Sequence, residues 1–191
     1  MRYFTAAAAW AVAATILLSG CGDSADEDAG PPDDFAITVH HVDGSVPPPD
    51  HVEWTLRVDD ALQGSLEYTA GYPGPDTPTY KAQFDVESSA MSDLYDGLAD
   101  NDLLRDEEAS APEDAPIGGS AVTATVTADG NTYVIPAYTE DGAPLQSLAG
   151  LIHRLVPRLV WNDFETRAKK HYEGGDSGSG DSGSGGSPAS R

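Results

Sequence analysis

The sequence predicts an α+β fold: an antiparallel sheet of about six strands, in the order β-β-β-β-α-β-β-α, with helices packed on one face in two layers. Three observations predict it. Four consecutive segments alternate apolar and polar residues with period two and are joined by short turns. A helical spacing then intervenes before the alternation resumes around an Asp-Gly turn. The chain closes on a long helical pattern interrupted by a single proline.

The first strand is read in FAITVHHV, where Phe35, Ile37 and Val39 point one way. Val52, Trp54, Leu56 and Val58 do so in the second, Leu66, Tyr68, Ala70 and Tyr72 in the third, and Tyr80, Ala82, Phe84 and Val86 in the fourth. The connectors DGSVPPPD, DDALQG and GYPGPDTPT carry turn residues and are too short for crossovers, so the four strands read as an antiparallel meander.

Met91, Leu94, Tyr95 and Leu98 fall at i, i+3, i+4 and i+7, one apolar face of a helix with Ser88, Ser89 or Ser92 as the expected N-cap. An acidic loop from 106 to 120 follows. Val122, Ala124 and Val126 then share one strand face, and Thr123, Thr125 and Thr127 the other. Asp129-Gly130 reads as a type I′ turn into NTYVIPAY. Leu145, Leu148, Ile152 and Leu155, then Val160, Trp161 and Phe164, keep a helical spacing. Pro157 must kink that segment or open a second helix, because proline removes a helical hydrogen bond.

Outside residues 35–173, read as a single domain, both ends have unusual composition. Residues 22–34 hold six acids and two prolines, with no aliphatic side chain larger than alanine. Such a segment cannot bury enough surface to offset chain entropy, and 21–34 is read as a flexible acidic tether. Residues 174–191 read as a disordered Gly/Ser/Asp tail. Its Gly175-Asp176-Ser177-Gly178 has the lettering of a serine-protease nucleophile motif, but it recurs at once as Gly180-Asp181-Ser182-Gly183. A short repeat lacks the packed base and oxyanion hole that the chemistry needs.

The N-terminus has one positive charge at Arg2, an apolar run from Phe4 to Leu18, and then Leu18-Ser19-Gly20-Cys21. The run is short for a bilayer-spanning helix of about 20 residues, and the layout is that of a secretory signal peptide over 1–20. The last four residues resemble the lipobox of bacterial lipoproteins. That resemblance implies cleavage before Cys21 and a diacylglyceryl group on its thiol, and therefore a lipid anchor at the extracytoplasmic face of the cell membrane. Cys21 is the only cysteine, so no intrachain disulfide framework holds the fold.

A net charge of −22 would repel nucleic acid and anionic membrane surfaces, so neither is expected as a direct partner of the domain. His40, His41 and His51 lie close in sequence beside Asp43 and Asp50. Adjacent strand residues point to opposite faces, however, so His40 and His41 do not readily share one metal. No metal, cofactor or catalytic residue is assigned. Asp93, Asp96, Asp100, Asp102 and Asp106 lack the glycine and terminal glutamate of a calcium-binding EF-hand loop and read as a solvated helix face. Nine acids lie between Asp93 and Asp114, whereas Arg154, Arg158, Arg167, Lys169 and Lys170 crowd the last helical pattern. Mutual neutralisation is the simple expectation, and a recognition surface is the sharper one. Trp54 and Trp161 both fall on apolar faces and are expected in the core.

These readings converge on a lipid-anchored extracytoplasmic domain with a binding role, its partner being an envelope protein or a small molecule. The alternative is a small envelope metal-assisted hydrolase using His40 or His41 with His51.

Overall fold

A computed structural model describes residues 30–105 and 119–175. Cys21 and the residues before it, the tether up to residue 29, the acidic loop over 106–118 and the tail from 176 lie outside the described residues.

Six strands form one antiparallel sheet: β1 (Ala36–Val42), β2 (Val52–Val58), β3 (Gln63–Ala70), β4 (Thr79–Asp85), β5 (Ala121–Ala128) and β6 (Asn131–Ile135). Their order across the sheet is β4-β3-β2-β1-β5-β6. The first four strands are the expected meander, and helix α1 (Ser88–Asp100) carries the chain back so that β5 pairs with the free side of β1. Register follows the apolar pattern. Val39 faces Leu56 on one side and Ala124 on the other, Leu56 faces Leu66, and Val126 faces Tyr133. A slip of one residue would move this whole set to the other face, so burial of one face fixes the pairing.

The buried face carries Ile37, Val39, Leu56, Leu66 and Val126, each no more than 2% exposed. The helices cover this face. Met91, Leu94 and Leu98 are the buried side of α1. Helix α3 (Arg158–Gly175) buries Trp161, Phe164 and Ala168, which share one face at spacings of three and four. Phe164 packs against Tyr68 and Tyr80 with ring centroids 5.8 and 5.7 Å away. The short helix α2 (Ala149–Arg154) lies against α1, and the glycine at 97 permits the approach: a Cβ there would sit 2.8 Å from Leu151 Cδ1. Arg154 donates to Asp93 across the same contact at 3.1 Å. The opposite sheet face presents Thr38, Thr55, Thr69, Thr123, Thr125 and Thr127 and is partly or fully open to solvent.

The Asp129-Gly130 turn has positive φ at both residues, +52° and +75°, as a type I′ turn requires. Asp34 reinforces it, its two carboxylate oxygens accepting from the Asp129 and Gly130 backbone N–H groups at 2.8 and 2.6 Å.

Three local expectations need correction. Helix α1 is capped by Glu87, which makes no side-chain cap hydrogen bond, in place of Ser88, Ser89 or Ser92. Tyr72 does not continue the buried face of β3. The strand ends at Ala70, and Gly71 at φ +111° turns the chain so that the Tyr72 ring is 48% exposed. Leu145 and Leu148 are buried as their spacing suggests, yet they sit in consecutive turns ahead of α2. The expectation at Pro157 holds: α2 ends at Arg154 and a second helix, α3, starts directly after the proline, whose carbonyl accepts from the Val160 N–H at 2.9 Å. The charge expectation holds in one place: Arg154 meets Asp93, while Arg167 and Lys169 pair with Asp163 and Glu173 on their own helix.

Candidate binding groove at one end of the core

The buried face of the sheet is filled by aliphatic side chains over most of its length, but the filling changes at the C-terminal end of β1. His41 follows Phe35, Ile37 and Val39 in the same alternation and therefore points into the helix-covered layer. Its cross-strand partner is Trp54, and the two rings stack at 5.0 Å with an interplanar angle of 11°. Trp54 meets the edge of Trp161 at 5.5 Å, and Trp161 stacks on His153 at 4.3 Å. The Trp161 Nε1–H donates to the His153 carbonyl at 3.2 Å. A column of four rings, imidazole-indole-indole-imidazole, thus joins β1, β2, α3 and α2. Aromatic contacts of this kind contribute roughly 0.5–1.5 kcal/mol each beyond their area burial.

Beside this column lies a cavity of about 590 Å³. From the sheet, His41, Trp54 and Val122 line it. Leu145, Ile152 and His153 line it from the segment that leads into and forms α2. Ala137, Ala143 and Ala149 supply lining positions where larger side chains would fill the space. A two-residue bridge holds the loop wall in place: the Thr139 N–H donates to the Gly142 carbonyl at 2.7 Å, and the Gly142 N–H returns the bond at 3.1 Å. Gly142 has φ +120°, which this tight reversal requires.

Asp43 ties the chain together beside the groove. One carboxylate oxygen, Oδ2, accepts from the Val52 N–H at 3.1 Å, and the other, Oδ1, accepts from Ser120 Oγ at 2.9 Å. Oδ1 also lies 3.6 Å from His41 Nε2. Tyr138 Oη donates to the Ser120 carbonyl at 2.8 Å, tying the loop wall to the start of β5. His41 Nδ1 is buried and has no hydrogen-bond partner among the described residues. Burial holds the His41 pKa below its ordinary value, and the neighbouring His40 and His51 act in the same direction, while Asp43 opposes them. Deeper in the layer, burial pushes the Tyr68 hydroxyl up to about 12, with a smaller contribution from Glu165.

Serine, histidine and aspartate therefore meet at this end of the sheet, but not in the order of a nucleophilic triad. The Ser120 hydroxyl gives its hydrogen to Asp43, whereas a triad needs the hydroxyl on the imidazole and the carboxylate behind it.

The histidines singled out from the sequence separate. His40 lies on the solvent face of the sheet, where its Nδ1 and Thr55 Oγ1 share a hydrogen bond at 3.1 Å. His51 is 1% exposed and packs the β1–β2 turn. Its Nδ1–H donates to the Gly44 carbonyl at 3.1 Å, its Nε2 lies 3.2 Å from Glu53 Oε1, and Tyr72 stacks on its ring at 3.8 Å. Both ring nitrogens of His51 are thus engaged, and His40, His41 and His51 do not converge on one point. Among the described residues, no group of three or more His, Cys, Asp or Glu side chains is placed to hold a metal ion.

Trp161 is core, as expected, while Trp54 is only partly buried and lines the groove. The sequence reading missed Ser120, Tyr138 and His153 as groove residues. Each becomes adjacent to the others only through folding. For His41 a signal was present, because it shares the parity of the core residues that precede it.

No protein-family model matches the chain, and no curated protein matches it.

Proposed function

We propose that this chain is a lipid-anchored binding domain held at the extracytoplasmic face of a bacterial cell membrane through Cys21. The observation that carries the reading is Leu18-Ser19-Gly20-Cys21, an aliphatic and two small residues before the sole cysteine, where an apolar run gives way to an acidic one. Each buried methylene of an attached lipid contributes roughly 0.8 kcal/mol; one chain holds only marginally, and two hold stably. A diacylglyceryl group on Cys21 would therefore retain the domain at the membrane despite its net charge of −22.

The groove beside Trp54 supports a binding role. Its volume, about 590 Å³, falls within the range of roughly 300–1,000 Å³ of small-molecule sites, and its lining is largely apolar with a few polar groups. The hydrolase alternative draws no support from His40, His41 and His51, whose side chains diverge.

Labelling cells with a fatty-acid analogue tests the anchor. The wild-type protein should carry the label and fractionate with membranes, and Cys21→Ser should lose the label and leave the membrane fraction or accumulate unprocessed. Unchanged labelling of Cys21→Ser would overturn the reading.

A further inference from the structure

We infer that the groove between His41, Trp54 and helix α2 takes an uncharged, predominantly apolar small molecule. The inference rests on the binding reading above and deepens it by naming the ligand class. Its first support is charge. The protein carries 32 acidic and 10 basic residues, yet among the described residues no Asp, Glu, Lys or Arg lines the groove. The Asp43 carboxylate, bonded to the lining residue Ser120, is engaged by the Val52 N–H and the Ser120 hydroxyl. A charged ligand would have to leave water for a wall without a counter-charge, which is costly.

The second support is the state of the polar groups around the groove. Tyr138 Oη is used by the Ser120 carbonyl, and Ser120 Oγ by Asp43. His41 is held neutral at neutral pH by its burial. Gln146 and the His153 ring remain as lining groups able to make a few oriented hydrogen bonds. The third support is volume. Three alanines and a glycine, Ala137, Ala143, Ala149 and Gly119, line a space beside a core whose neighbouring residues Leu145 and Ile152 are 1% and 2% exposed. A gap of this size in an otherwise close-packed layer forfeits dispersion contacts that a ligand of matching apolar surface would restore.

The test compares two probes with one skeleton. N-phenyl-1-naphthylamine is uncharged, and 8-anilino-1-naphthalenesulfonate adds a sulfonate. Each is titrated into the processed chain, residues 21–191 with Cys21→Ser, so that neither lipid nor detergent enters the assay; cooperative melting establishes folding first. Titrations are run in 1 M salt, where the Debye length falls to about 3 Å and long-range repulsion by the acidic protein is screened. The uncharged probe should bind saturably at one site with quenching of tryptophan fluorescence, at least tenfold more tightly than the sulfonate. Ala149→Phe, which fills the groove, should weaken it at least tenfold. Ala143→Leu, a smaller filling, keeps the test decisive if Ala149→Phe does not melt cooperatively. Equal or tighter binding of the sulfonate, still lost on filling, would overturn the ligand class while leaving the groove a binding site. No saturable binding of either probe, or binding indifferent to filling, would overturn the class and count against the binding reading as well. Lipid labelling at Cys21 is independent of both results.

Discussion

Replacing Asp43 by alanine tests whether one carboxylate secures the end of the sheet where the groove opens. Its Oδ2 accepts from Val52 of β2, and its Oδ1 accepts from Ser120 ahead of β5, so a single side chain ties β1 to both neighbours. Hydrogen bonds to a charged acceptor contribute roughly 1.5–3 kcal/mol each when protected from water. The Asp43 side chain is 24% exposed, which places these two in the lower part of that range or somewhat below it. The expected loss is about 2–4 kcal/mol in all. For a domain of this size, about 3–5 °C in Tm accompanies each kcal/mol, so melting should fall by roughly 6–20 °C. Asp43→Asn, which keeps one accepting oxygen, should fall between the variant and the wild type.

A second readout separates this role from general damage to the fold. Asp43 opposes the burial that depresses His41. Without it, the His41 imidazole should titrate still lower, as followed by its ring-proton resonance in NMR. A Tm within about 2 °C of wild type would refute the argument on stability. His41 titrating unchanged or higher in Asp43→Ala would refute the electrostatic part.

Three further outcomes follow from the structure. The folded-state pKa of His41 lies below its ordinary 6.5, so the unfolded chain binds that proton more readily. The stability that comes from keeping His41 neutral is therefore full above about pH 6.5 and is lost as pH falls through the folded value. His41→Phe, which keeps a ring against Trp54, should gain on the wild type in thermal melts as pH falls from about 8 to 5; parallel curves would refute this. Glycine positions should behave oppositely. A Cβ at 44 would lie 2.5 Å from the Gly119 backbone nitrogen and 2.7 Å from its carbonyl oxygen, so Gly44→Ala should cost about 1–3 kcal/mol by urea denaturation. A Cβ at 150, within α2, meets nothing within 4 Å, and Gly150→Ala should stabilise by about 0.5–1 kcal/mol.

The sheet was legible because one of its faces is buried and the other is wet. Alternation then reports orientation residue by residue, and the parity of Val39, Leu56, Leu66 and Val126 is the parity found in the structure. Alternation does not report where a strand stops. Tyr72 keeps the parity of Tyr68 and Ala70, yet the left-handed turn at Gly71 takes it out of the sheet to cover His51. In the same way, the spacing of Leu145 and Leu148 was right about burial and wrong about helix, since consecutive turns can also bring two residues three apart to one side. The groove was not legible as a whole. Its walls come from β1, β2, the start of β5, the loop after β6 and α2, and the small residues that leave it open carry no local pattern.

The placement of the groove follows from how the two layers end. Along β1 the helix-facing positions run Phe35, Ile37, Val39, and each is buried by aliphatic or aromatic partners. The next such position is His41, which can stack on Trp54 but leaves one ring nitrogen without a partner among the described residues. An aliphatic side chain there would extend the packed core and would satisfy the site without any unpaired polar atom, so the imidazole departs from what stability alone would select. The same end of the domain uses alanine where the lining could be filled, and a carboxylate, a hydroxyl and a tyrosine tie the surrounding segments to one another. Departures from local consistency that cluster in one place are expected at functional sites. Here they coincide, in a strongly acidic protein, with a cavity that no charged side chain lines among the described residues, which is why the groove, and not the solvated threonine face of the sheet, is the surface to probe first.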